Sequence, residues 1–79
     1  MMAVDVLEFI ARNLVDHPDE IEIVETEDDD GEVVLELKVH PEDMGKVIGK
    51  RGRTAKAIRT MVKAASTRDG QQATVEIVE

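Results

Sequence analysis

Between residues 45 and 54 the chain reads Gly45-Lys46-Val47-Ile48-Gly49-Lys50-Arg51-Gly52-Arg53-Thr54, with two glycines flanking two basic residues. These residue types at this spacing suit the holding of phosphate. Glycine lacks a Cβ, so Gly49 and Gly52 let the chain turn through otherwise forbidden dihedrals and bring backbone N–H groups near phosphate oxygens. Lys50 and Arg51 put positive charge at the tip, and a helix starting at Arg53 would aim its unpaired N–H groups at the same place.

Other chemistries fit less well. A nucleotide-binding P-loop needs G-x-x-x-x-G-K-[ST]; Gly45 to Gly49 is one residue short, and Arg51 stands where a hydroxyl should meet Mg²⁺. His17 and His40 lie far apart without a Cys or His partner at metal spacing, so they read as surface or turn residues, and neither a metal nor any other cofactor is expected. The acidic run Glu25, Glu27, Asp28, Asp29, Asp30 and Glu32 lacks EF-hand ligand spacing and reads as a solvated hairpin tip. No Ser, Thr or acid pair proposes nucleophilic or acid–base catalysis, and 79 residues leave little room for a shaped substrate pocket, so a non-enzyme is expected.

The elements that must position the glycine-bracketed loop follow from periodicity. Val6, Leu7, Ile10, Leu14 and Val15 recur at three- and four-residue steps, which predicts an amphipathic helix over 4–15. A β-branched stretch from Ile21 to about Glu27, the turn Asp28-Asp29-Asp30-Gly31 and the alternation Val33, Leu35, Leu37, Val39 predict a hairpin. Pro41 suits a first helical position, and Met44, Val47 and Ile48 give the following short helix an apolar side. Ala55, Ile58, Met61, Val62 and Ala65 form the apolar stripe of a helix from Arg53 to about Thr67, with Arg53, Lys56, Arg59 and Lys63 on its other faces. Asp69-Gly70 ends that helix, and Ala73 to Val78 alternates as a last strand. The order α-β-β-α-α-β predicts an α+β domain: a three-stranded sheet with all helices on one face, spanning residues 1–79 as a single domain.

Charge is strongly segregated. The net charge of −8 taken alone argues against a polyanionic partner, but residues 44–68 hold eight bases and no acid, whereas residues 1–43 hold fifteen acids against two bases. A basic block in an acidic chain looks like one dedicated face. Only Phe9 is aromatic, which disfavours modules that stack bases on Phe, Tyr or Trp. No cysteine, no signal-peptide pattern and no run of apolar residues long enough to span a bilayer are present, so the expected location is cytoplasmic, away from membranes.

The element order, together with Val47-Ile48-Gly49-Lys50-Arg51-Gly52, resembles the type II KH domain, whose G-x-x-G loop clamps about four backbone nucleotides. Leu14-Val15-Asp16-His17-Pro18-Asp19 is similar to the N-terminal segment of the KhpA (YlqC) family of stand-alone bacterial KH proteins, and the resemblance covers nearly the whole chain. It implies binding of single-stranded RNA with low sequence specificity, in post-transcriptional regulation or as an RNA chaperone. Gly49, Lys50, Arg51 and Gly52 match the clamp, Lys46, Arg53, Thr54 and Lys56 flank it, and Val47, Ile48 and Ile58 are expected to shape the base groove. Ala55 is smaller than the aliphatic residue usual in the family at that position. A homodimer is expected because pairing two weak sites raises apparent affinity. The resemblance adds a KhpB (Jag)-type KH protein as a further candidate partner, and with it an alternative role as a protein-interaction subunit in control of cell elongation and division.

Overall fold

The computed structural model describes residues 2–79. Helix α1 (Ala3–Leu14) is followed by a 3₁₀ turn at Pro18–Glu20, strands β1 (Glu22–Glu27) and β2 (Val33–Lys38), a second 3₁₀ turn at Pro41–Asp43, helix α2 (Met44–Ile48), the loop at 49–52, helix α3 (Arg53–Arg68) and strand β3 (Ala73–Val78). This is the expected α-β-β-α-α-β order. The sheet runs β1-β2-β3, with β1 antiparallel and β3 parallel to β2, so the two helices between β2 and β3 form the crossover that a parallel pair requires.

Alternation in β2 is expressed directly in burial. Val33, Leu35 and Leu37 are buried on the helix-covered face, while Val34 and Glu36 are half-buried on the other and Lys38 is exposed. Against them pack Ala3, Leu7, Ala11 and Val15 of the α1 region, Val47 of α2, Ile58 and Val62 of α3, and Ala73 and Val75 of β3, forming one continuous core. Each fully buried Leu or Ile in it contributes on the order of 1.5–3 kcal/mol. β1 is one of the two edge strands: only Ile23 is half-buried, and Glu22, Glu25 and Glu27 keep that edge charged, which disfavours pairing with further strands.

The turns behave as their residues dictate. Asp28 Oδ1 accepts from the N–H groups of Asp30 and Glu32, both at 2.9 Å, and Gly31 takes φ +83°, closing the hairpin tip. At the end of α3, Asp69 N–H bonds Ala65 O and Gln71 N–H bonds Ser66 O, with Gly70 at φ +76°.

Three details depart from the sequence reading. Val15 caps α1 in extended conformation instead of continuing it, yet stays in the core. Pro41 opens the 3₁₀ turn that precedes α2, not α2 itself. Met61, assigned to the buried stripe of α3, is 47% exposed, because Ile58, Val62 and Ala65 already fill the line facing the sheet.

Candidate nucleic-acid interface

The loop of residues 49–52 is built by backbone strain that only glycine relieves cheaply. Gly49 has φ +75° and ψ 176°, and a Cβ there would stand 2.2 Å from Thr54 Oγ1 and 3.0 Å from Thr54 N. Gly49 is therefore required twice, by its dihedrals and by the close approach of the first turn of α3. Arg51 at φ +57° and Gly52 at φ +73° follow in the left-handed region, with open space around the site of a Cβ on Gly52. Arg51 in this region stores strain of about 1–2 kcal/mol. The double left-handed step turns the chain so that Lys50 and Arg51 project at the tip and α3 begins with no side-chain cap on its N-terminus.

Electrostatically this edge is unsatisfied. Among the described residues, Lys50, Arg51, Arg53, Lys56 and Lys63 make no ion pair. No acid lies in the first turn of α3, so its N-terminal N–H groups and four nearby cations share one potential.

The same face continues along α3. Arg53, Lys56, Arg59 and Lys63 follow at steps of three, three and four, which places them on one side of the helix, beside the free edge of β3. Arg59 Nε donates to Val75 O at 3.4 Å, and the buried Ser66 hydroxyl accepts from Ala73 N–H at 3.3 Å while donating to Lys63 O at 2.8 Å. Between these two stitches lies a hollow of about 260 Å³ lined by Arg59, Lys63, Ala73, Thr74 and Val75. Val33 N–H bonds Gln72 O in the parallel ladder, so the N–H and C=O groups of residues 73, 75 and 77 point off the free edge, toward this hollow. Arg59 and Lys63 were not among the site residues read from the sequence, although their helical spacing with Lys56 was the available signal.

Several expected site residues stand elsewhere. Val47 and Ile58 are 0% and 1% exposed, so they support the α2–α3 corner from beneath and offer no surface to a base; of that apolar set only Ile48, 38% exposed, is at the surface. Thr54 is half-buried against Gly49. Lys46 points away from the loop: its ammonium pairs with Asp16 and stands 3.6 Å from Asp43 Oδ1. That contact raises the Lys46 pKa, the hydrogen bond to Asp16 being the main cause.

Asp43 sits at the other end of α2, 1% exposed. Its carboxylate accepts from the N–H groups of Asp16 at 3.3 Å and His17 at 3.0 Å, and from His17 Nδ1 at 3.0 Å; a carboxylate only accepts, so Nδ1 carries the proton. Burial pushes the Asp43 pKa up, but the His17 ring and the two amides together hold it below the ordinary carboxylate value. The hydrogen bond to Asp43 raises the His17 pKa against its own partial burial, with the charges of Asp43, Glu42 and Glu20 adding to the rise. His17 and His40, far apart in sequence, stack with centroids 4.0 Å apart and planes at 14°. With Glu42 they bring donor atoms within 4.8 Å of one another. A metal lies near the plane of each imidazole it binds, so two parallel rings do not aim at one ion, and His40 Nδ1 already accepts from Glu42 N–H at 3.0 Å. The residues between 14 and 19 that carried the family resemblance thus serve the structure directly, because they cap the buried Asp43.

A helix–G-x-x-G–helix corner set on a sheet with this topology defines a KH domain, and comparison with known proteins agrees. A family model described as KhpA/KhpB, KH domain matches residues 4–77. Proteins named RNA-binding protein KhpA are similar over nearly their whole length: that of Clostridium acetobutylicum is 56% identical, covering 91% of this chain and 95% of its own, and that of Bacillus subtilis is 48% identical, covering 95% and 91%. In a crystal structure of a variant of Aquifex aeolicus Era bound to GDP·AlF4⁻, a region amounting to 29% of that chain superposes on 95% of this one with a TM-score of 0.61 at 20% identity, a likeness of fold. The chain belongs to the KhpA/KhpB KH-domain family, and these relatives bear the names of binding proteins and not of enzymes.

Proposed function

We propose that this protein binds single-stranded RNA, with Gly49-Lys50-Arg51-Gly52 clamping the phosphate backbone and the adjoining α3–β3 hollow receiving bases. The observation that carries the reading is the unpaired basic edge: five cations without an acidic partner among the described residues, four of them around the helix N-terminus and Lys63 further along α3, in a chain of net charge −8. Free charges on an otherwise acidic protein call for an external anion. The relatives named as RNA-binding proteins supply its class. Arg53 and Lys56 flank the clamp, Arg59 and Lys63 extend it along α3, and Thr54 packs under Gly49 to hold the loop's shape. Base contacts are made by aliphatic surface and by the free edge of β3, so sequence preference is weak, as suits an RNA chaperone or a broad post-transcriptional regulator acting in the cytoplasm.

The test is fluorescence anisotropy with short unstructured RNA. The double variant Lys50→Asp, Arg51→Asp abolishes binding while the protein stays folded, and Lys63→Ala weakens it a few-fold. For the wild type, log K falls with log[salt] with a slope of about −2 to −3, from three or four phosphate contacts at about −0.7 each. A slope near zero, or wild-type affinity in the double variant, refutes the clamp.

A second reading is favoured by a separate observation. Phe9, the single aromatic residue, is 65% exposed on α1, and Met61 on α3 is also exposed. An exposed aromatic side chain of this kind can anchor a protein contact, and pairing two weak RNA sites raises apparent affinity through effective concentration. A homodimer, or a heterodimer with a KhpB (Jag)-type protein in control of cell elongation and division, accounts for it. Sedimentation of the wild type and of Phe9→Glu decides whether this surface mediates assembly: loss of a dimer in the variant supports it, and a monomeric wild type refutes self-association.

A further inference from the structure

The chain's two histidines both lie at the base of α2, and none lies on the basic face. Asp43 immediately precedes α2, and α2 has five residues, a rise of only about 7 Å. Its last residue adjoins Gly49, so the buried carboxylate and the loop are the two ends of one short rod. Everything that holds the carboxylate comes from the α1–β1 connection or from α2 itself: the Asp16 and His17 amides, the His17 ring and Lys46. The His17 ring is the one member of this set that changes charge near neutral pH. Its surroundings are Asp43 at Nδ1, Glu42 Oε1 at 3.7 Å from Nε2, the stacked His40 with Glu20 3.6 Å beyond it, and Lys46, paired to Asp16, across the Asp43 carboxylate. Deprotonation of His17 leaves the Nδ1–H bond to the carboxylate but removes the attraction between two opposite charges 3.0 Å apart, one of them on the buried Asp43.

We infer that His17 and Asp43 are positioning residues for the RNA clamp: their bond fixes the base of α2, and deprotonation of His17 loosens the glycine loop at the other end and weakens RNA binding. This rests on the clamp reading above. Val47, fully buried in α2, keeps the helix keyed into the core, so the effect is graded and the loop is not lost. By linkage, RNA bound at the loop raises the affinity of His17 for its proton by the same factor that protonation raises affinity for RNA.

Two measurements test it. In the free protein, NMR titration from pH 5.5 to 8.5 shows the amides of Gly49 and Gly52 shifting with the midpoint of the His17 ring. In binding assays at fixed salt with the same unstructured RNA, Kd rises about threefold from pH 6 to 8, and this dependence vanishes in His17→Gln but persists in His40→Gln, which leaves the Asp43 bond intact. Loop amides that ignore the His17 titration overturn the inference, and so does a pH dependence that survives His17→Gln or disappears only in His40→Gln. The NMR arm needs neither RNA nor a variant, so it stands if His17→Gln fails to fold. A wild type that binds no RNA would refute the clamp while leaving the His17-to-loop coupling separately measurable.

Discussion

The two ends of α2 carry similar side chains in opposite states. At the Asp43 end the buried charge is matched: the carboxylate receives two amides and an imidazole N–H, and the ammonium of Lys46, paired with Asp16, stands beside it. At the glycine end, Lys50 and Arg51 have no acidic partner among the described residues, and the backbone is held in left-handed conformations. Satisfied polar groups hold a fold in one arrangement, whereas unsatisfied ones, kept in place by strain, mark where a ligand completes them. Basic residues of the same α2–loop segment thus divide between internally paired and unpaired according to what lies opposite, and Lys46 and Lys50, four residues apart, fall on opposite sides of the division.

The largest effect is expected from breaking the strained end. Gly49→Ala places a methyl group 2.2 Å from Thr54 Oγ1, in backbone and side-chain surroundings that cannot both yield. RNA binding is lost and Tm falls by more than about 10 °C, because the clash adds to the left-handed penalty and takes the loss above about 2 kcal/mol. Gly52→Ala meets no atom within 4 Å and bears only the left-handed penalty of about 1–2 kcal/mol. Anisotropy and thermal melts on both variants check the order; equal damage from the two would mean that the contact with Thr54 is not what makes Gly49 necessary.

The next contrast sets stability against binding across α2. Asp43→Ala leaves the part-buried amides of Asp16 and His17 and the His17 ring without their acceptor and lowers Tm by at least about 5 °C. Lys50→Ala removes a side chain with no acidic partner among the described residues, leaving Tm within about 2–4 °C of wild type while weakening RNA binding several-fold. Similar melting temperatures for the two variants would erase the distinction between the matched and unmatched ends.

Most of the fold was legible because its signals are local. Period-two burial in β2, the glycine-bracketed loop and the hairpin turn each depend on neighbours in sequence, and the structure has them where the residues call for them. The basic face was also legible in outline, as an acid-free block. What escaped depends on contacts between residues far apart in sequence: the capping of Asp43 by Asp16 and His17, across 27 and 26 residues, the stacking of His17 on His40, and the diversion of Lys46 from the loop toward Asp16, across 30. Periodicity records which face of a helix is apolar but not which of two adjacent apolar residues, such as Val62 and Met61, reaches the core. It likewise marked Val47, Ile48 and Ile58 as apolar without telling core from groove, and only Ile48 came to the surface. The hollow beside Arg59 and Lys63 needed the parallel placement of β3 alongside α3, which no local pattern encodes.

The smallest effect, and the most diagnostic of the matched end, is the pH dependence of stability. His17 has a folded pKa above its unfolded value of 6.5, so the folded state binds its proton more tightly. Its contribution is complete below about pH 6.5 and is lost as pH rises through the folded value. Asp43 has a folded pKa below 3.8, so its contribution is complete above about that pH and is lost as pH falls through the folded value. The pair therefore contributes fully only between these limits, and thermal melts from pH 5.5 to 8.5 should show Tm declining toward the alkaline end. Relief of net negative charge on acidification bends the curve the same way in a chain of charge −8, so the diagnostic quantity is the difference between wild type and His17→Gln. That difference should be greatest near pH 6 and shrink by pH 8.5; a difference independent of pH would show that the His17 ring contributes by packing on His40 and not through its proton.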